Sequence, residues 1–175
     1  MEKGCTLSIE SFAQEHPAMN PCLLVEPARV ALARYHASPA SFSISRDEMD
    51  CPATVEFDPP DPRSRQTLER EDFVEKGAIV MAGVVLSRFE KKQLTRVTKR
   101  GTHVDYFVGE KQQDFRWILE VSGTDEGEIG SLLARKRKQL EASPYRLPPH
   151  SKNGIVSVTR FAPDAVTRCN SVPLQ

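Results

Sequence analysis

The chain has 175 residues, 39% of them hydrophobic and 27% charged, with 24 Lys/Arg balanced by 24 Asp/Glu. This size and balance suit one globular domain large enough for a single core. No run of ~18 apolar residues occurs, so no membrane span is expected, and the N-terminus lacks the continuous apolar stretch of a secretory signal, which makes the cytosol the expected compartment. Charge is unevenly spread. Residues 1–87 carry 8 Lys/Arg and 14 Asp/Glu, a net −6, and residues 88–175 carry 16 and 10, a net +6. A basic C-terminal half is what a polyanion-binding surface requires, although the two halves can also neutralise each other. Cys5, Cys22, Cys51 and Cys169 form no C-x-x-C pair. They read as reduced thiols rather than a disulfide framework or a zinc site.

In chain order, residues 1–23 read as an N-terminal arm with a short helix around Ile9–Gln14. Residues 24–58 read as a β-meander packed on the core. Its strands would be Arg29–Tyr35, Ser41–Ser45 and Thr54–Phe57, separated by turn-forming segments. The run DPPDPRS, residues 58–64, is read as a breaker of helix and sheet alike. A mixed α/β core is expected over residues 65–170. Thr67 is the expected cap of a helix running to about Lys92, with Val74, Ala78, Met81, Ala82, Val85 and Phe89 as its apolar stripe. Gly77 and Gly83 weaken that helix intrinsically, so packing must hold it.

Strands are then expected at Leu94–Lys99, around Tyr106–Val108 and at Phe115–Val121. A loop at Thr124–Gly127 leads to a helix over Glu128–Ala142. A last strand is expected at Ile155–Phe161, with residues 170–175 as a tail. The core order is helix-strand-strand-strand-helix-strand, an α/β fold on a mixed sheet. The first three strands can be antiparallel neighbours, and the last returns by a helical crossover that favours parallel pairing.

Two carboxylates interrupt the apolar strands of this core. Asp105 opens the second strand and Glu120 lies near the end of the third. A hairpin of the two strands would bring them to one sheet edge. Charged groups in such surroundings lose hydration and call for a partner or a cation. The order of elements, Glu71 or Glu75 on the first helix, Asp105, and the tripeptide Glu120-Val121-Ser122 together resemble the PD-(D/E)XK nuclease-like superfamily. The resemblance spans about residues 67–162. It implies Mg²⁺ held by Asp105 and Glu120, with Glu75 or Glu71 completing the shell, and hydrolysis of nucleic acid phosphodiesters as a metal-dependent endonuclease. The family also places a lysine two residues after the glutamate, where this chain has Ser122.

A substitute amine is available on the second helix. Ile129, Leu132, Leu133 and Leu140 define its apolar face, and Lys136 falls on that face while Lys138 points away. Such a lysine reads either as an amine reaching Glu120 or as a stem snorkelling past the sheet edge. Catalytic roles therefore fall to Asp105, Glu120 and Lys136. Basic residues lie beside these positions in the sequence: residues 88–100 contain six Lys/Arg, and Arg135–Lys138 adds four. Lys91, Lys92, Lys99, Arg100, Arg135 and Lys138 are the expected contacts to a phosphate backbone, with a solvated helix face as the alternative. Among the histidines, His103 could share a strand face with Asp105, but none of the four is read as catalytic. The rival reading of the whole chain is a non-catalytic module of the same fold that binds DNA or a protein partner.

Overall fold

The computed structural model describes residues 4–175, so residues 1–3 of the expected arm lie outside the described residues. Eight strands form one mixed sheet: β1 (Cys5–Ser8), β2 (Ala40–Arg46), β3 (Met49–Glu56), β4 (Gln93–Val97), β5 (Tyr106–Gly109), β6 (Trp117–Thr124), β7 (Asn153–Arg160) and β8 (Val166–Val172). Their spatial order is β1-β3-β2-β8-β7-β6-β5-β4. The α-helices are α1 (Phe12–Glu15), α2 (Pro21–Tyr35), α3 (Pro62–Thr67), α4 (Arg70–Glu90) and α5 (Ile129–Glu141).

The mixed α/β core has the expected order, α4-β4-β5-β6-α5-β7. Strands β4, β5 and β6 are antiparallel neighbours, and α5 carries the chain over to β7, which runs parallel to β6. Alternation along the strands assigns their faces. Tyr106, Val108, Leu119, Val121 and Ile155 belong to the core that includes α2 and α4. Ile118, Val156 and Val158 pack with Ile129 and Leu140 of α5. Because β6 is covered on both faces, it reads as a nearly continuous apolar run, which makes Glu120 stand out.

Helix α4 is buried all round from Gly77 to Leu86, a wider burial than the stripe alone requires, because α1 and α2 pack on it as well as the sheet. Its two glycines are packing positions. A Cβ at Gly77 would lie 2.8 Å from Phe161 Cζ, and one at Gly83 2.6 Å from Phe12 Cε2.

Several boundaries differ from the sequence reading. The segment Arg29–Tyr35, expected as a strand of a meander, is the C-terminal half of α2. Asn20 Oδ1 accepts from Cys22 N at 3.0 Å, and Pro21 occupies the first turn, a strong helix start. Leu24, Ala28, Ala31 and Leu32 then form an apolar stripe buried in the core shared with α4. That periodicity outweighs both the short alternation of Val30, Leu32 and Arg34 and the interior Pro27. What remains of the meander is the β2–β3 hairpin.

The proline-rich run does not forbid a helix; it starts one. Asp61 Oδ1 accepts from Arg63 N at 2.8 Å and Pro62 stands at the first turn of α3. Thr67 closes α3 instead of capping α4, its hydroxyl donating to Arg63 O at 2.8 Å. Extended Leu68 separates the two helices. Left-handed Lys91 ends α4.

Residues 170–172, expected within the tail, belong to β8, which pairs antiparallel with β7 and parallel with β2. Its inward positions include Thr167 and Cys169, both fully buried. Polar inward residues erase the alternation by which a strand is recognised. All four cysteines are free, and Cys5 Sγ and Cys51 Sγ approach to 3.3 Å. Among the described residues, no helix is long and apolar enough to cross a membrane.

Candidate functional site

The site is a notch at one edge of β6. Strand β5 begins only at Tyr106, paired with Leu119, so β6 continues from Val121 to Thr124 without a strand beside it on that side. Asp105 closes the last rung. Its N–H donates to Leu119 O at 2.9 Å, and its Oδ2 accepts from Val121 N at 2.8 Å. A side-chain carboxylate thus takes the place of a backbone carbonyl, and the chain departs from the sheet at that point.

Glu120 points to the α5 face, as expected from its alternation with Ile118. It is 1% exposed, and Lys136 Nζ donates to its Oε1 at 2.5 Å from α5. Lys136 is 17% exposed and also reaches Gln139 Oε1 at 3.4 Å. The amine expected on the apolar face of α5 is therefore on the glutamate, whereas Lys138 is exposed. Burial pushes the Glu120 carboxyl up to about 7. The neighbouring Asp105 charge adds to that shift, and Lys136 opposes it. Two carboxylates held together with one ammonium form a site with a deficit of positive charge.

The notch opens into a cleft of about 500 Å³, lined by Asp105, Lys136, the β6 edge from Val121 to Asp125, and Arg70, Glu71, Val74 and Glu75 of α4. Asp105 and Glu75 both bear on Tyr106, whose hydroxyl is pushed up to about 12 by burial first and then by these charges. The close seating of α4 depends on Gly123, where a Cβ would lie 2.4 Å from Val74 O. Ser122 lines the same cleft.

The donor set suits a hard cation. Mg²⁺ typically takes one or two carboxylates and keeps several waters, and Asp105 with Glu120 supply such a pair beside open volume. Glu75 and Glu71 line the cleft, yet among the described residues no three His, Cys, Asp or Glu side chains converge as a ready-made cage. The expected third ligand thus stands on the cleft wall and is not gathered with the other two.

The basic positions divide. Lys99, Arg100 and His103 line a second cavity of about 330 Å³ that reaches Asp105, Glu120 and Gln139. Arg135 lines a third, of about 390 Å³, that shares Ser122, Gly123 and Thr124 with the main cleft. Lys91 and Lys92 stand at the opposite end of β4 from Asp105. Lys92 is committed to Glu90 and to the face of Trp117, 4.1 Å from the ring centroid.

One network escapes the sequence reading. Arg70 pairs with Asp125, and Tyr35 Oη donates to Asp125 Oδ2 at 3.1 Å. Arg70, with Tyr35, holds Asp125 below the usual carboxylate range. These partners lie 55 and 90 residues from Asp125 along the chain, so only the separate residue types are visible there.

No protein-family model, curated protein or solved structure matches the chain.

Proposed function

We propose that this chain is a Mg²⁺-dependent, nuclease-like protein acting on nucleic acid phosphodiesters. The observation that carries the reading is the contact of Lys136 Nζ with Glu120 Oε1 beside Asp105. The resemblance to PD-(D/E)XK nucleases lacks a lysine on the third core strand, and the amine arrives instead from α5. The core order of helices and strands, with Asp105 immediately before one strand and Glu120 on its antiparallel neighbour, supports the same reading.

In this reading Asp105 and Glu120 hold the cation. Mg²⁺ held there would supply an acidified water and neutralise charge on the phosphate. Lys136 fixes the Glu120 carboxylate and sets a positive charge where negative charge builds during hydrolysis. Asp105 is oriented by the Val121 N–H and Glu120 by Lys136, so both carboxylates are held before substrate arrives. Lys99, Arg100 and Arg135 supply phosphate contacts on either side. Four free thiols suit a cytosolic setting.

Labelled single-stranded and duplex DNA and RNA, incubated with Mg²⁺ or with EDTA, test the reading. Cleavage is expected with Mg²⁺ only, and should vanish in Asp105→Asn and Glu120→Gln. Absence of cleavage on every substrate, together with a melting curve indifferent to millimolar Mg²⁺, would overturn it. Mg²⁺-linked stabilisation without cleavage would leave the binding module as the better account.

A further inference from the structure

The three cavities around the site adjoin one another through shared lining residues. The Lys99–Arg100 cavity and the main cleft share Asp105, and the main cleft shares the β6 edge, Ser122 to Thr124, with the Arg135 cavity. One face of α5 follows them throughout. Gln139 lines the first, Lys136 the second, and Arg135, Leu132, Ser131 and Glu128 the third. At 1.5 Å per residue, Glu128 to Gln139 covers about 16 Å. That is long enough to follow a short run of a nucleic acid backbone. The carboxylate pair lies inside this run.

The banks of the groove differ in sign. Cations stand at its two ends, Lys99 and Arg100 at one and Arg135 at the other, all three exposed. The α4 bank presents Glu71 and Glu75, both exposed, while its one cation, Arg70, is paired with Asp125. A second phosphate backbone lying on that bank would meet carboxylates. The turn bearing Lys99 and Arg100 is held in shape: Thr98 N donates to Asp105 O at 3.0 Å, and Thr102 Oγ1 to Lys99 O at 2.6 Å. The cationic end is thus tied by backbone to the residue that closes the notch.

We infer that the substrate is a single nucleic acid strand, lying along α5 with Lys99 and Arg100 on the phosphates to one side of the carboxylate pair and Arg135 on those to the other. This rests on the reading given under Proposed function and narrows it to single-stranded substrates or single-stranded segments of larger ones. Among the described residues no Phe, Tyr or Trp lines the three cavities, so the strand is held through its phosphates and the contact is indifferent to base identity.

Anisotropy of labelled 12-nucleotide DNA and RNA single strands, and of the matching duplexes, tests this on the full chain in EDTA, where cleavage cannot intervene. Single strands should bind at least ~10-fold more tightly than duplex. Arg135→Glu and the double change Lys99→Glu/Arg100→Glu should each weaken single-strand binding by ~10-fold or more, and lower the salt slope by ~0.7 for each phosphate that is no longer neutralised. Lys111→Glu, exposed in the turn between β5 and β6 and lining none of the three cavities, should leave it unchanged. Circular dichroism checks that the variants, all at exposed positions, stay folded. Duplex binding as tight as single-strand binding, or Arg135→Glu without effect, overturns the inference. If duplex is nevertheless cleaved with Mg²⁺, the proposed function survives that failure. Absence of binding to any of the four probes, with no cleavage, overturns both.

Discussion

Lys136 Nζ sits 2.5 Å from Glu120 Oε1, joining α5 to the buried edge of β6. The glutamate has almost no contact with solvent, so this ammonium is its main compensation. Lys136→Met should therefore act in two ways. Cleavage should fall by at least ~100-fold, the scale of losing one preorganised charge in a site. The fold should lose about 2–3 kcal/mol near pH 8, toward the low end for a broken buried pair because Lys136 keeps some exposure. Adding Glu120→Gln should restore most of the stability and none of the activity, since a neutral amide no longer needs the amine. Urea denaturation of the single and double variants reads the stability, and single-turnover kinetics the activity. A kinetic loss below tenfold would remove Lys136 from the chemistry.

Mg²⁺ should stabilise the protein by mass action. At ten times its dissociation constant the gain is about 1.4 kcal/mol, or a melting shift of about 4 °C for a domain of this size. Glu120→Gln should abolish the shift while leaving a cooperative transition, because the shape of the side chain is nearly kept. Lys91→Glu should leave it intact. A shift that survives Glu120→Gln would place the cation elsewhere on the protein.

The sequence discloses the candidate site better than it discloses the N-terminal third. Asp105, Glu120 and Lys136 are charges on apolar faces, and such residues stand out wherever the strand or helix period is clear. Lys136 is singled out by helical phase alone, and its contact with Glu120 is one of the alternatives that phase leaves open. Residues 29–35 mislead because seven residues can satisfy both periods, and the decisive cap lies upstream at Asn20. Strand β8 is hidden because it buries Thr167 and Cys169, so only pairing with β2 and β7 identifies it. The grouping of the basic residues is equally invisible. Lys91 and Lys99 are eight residues apart, yet β4 carries them to opposite ends of the sheet.

The packing of α4 over the notch predicts a sensitive glycine. At Gly123 a Cβ would meet Val74 O at 2.4 Å and Ala78 Cβ at 3.0 Å. Neither the backbone carbonyl nor the helical alanine is the free end of a flexible chain, so α4 must lift. Gly123→Ala should cost about 2–3 kcal/mol, in the overpacking range. Because Glu71 and Glu75 ride on the same helix end, the cleft should widen as well. Thermal denaturation compared with Ser122→Ala, one residue away, isolates the effect. Equal stability of the two variants would show that the helix is not seated on the strand this closely.

The last prediction concerns His16, buried beneath α4 with no exposed surface. Leu94 N donates to its Nδ1 at 2.9 Å. That nitrogen must carry a lone pair, so the ring is neutral with its proton on Nε2. The ring also packs on Phe12, with centroids 4.4 Å apart. Burial pushes the imidazole down from its ordinary 6.5 to about 4, against a small opposing effect of the Gly83 backbone. Above pH 6.5 both folded and unfolded chains hold a neutral ring, and the stabilisation is complete. As pH falls from 6.5 toward 4, the unfolded chain takes up a proton that the folded one refuses. Stability should then fall by ~1.4 kcal/mol per unit at most, reaching a loss of roughly 3 kcal/mol by pH 4. In His16→Asn the side-chain oxygen can still accept from Leu94 N, although the ring packing is lost. The variant should be less stable than the parent at pH 7.5 and close much of that gap by pH 4.5. Urea denaturation at the two pH values measures the difference, and other titrating groups cancel between the two proteins. A stability gap that stays constant across that range would mean that His16 does not carry the acid sensitivity of this fold.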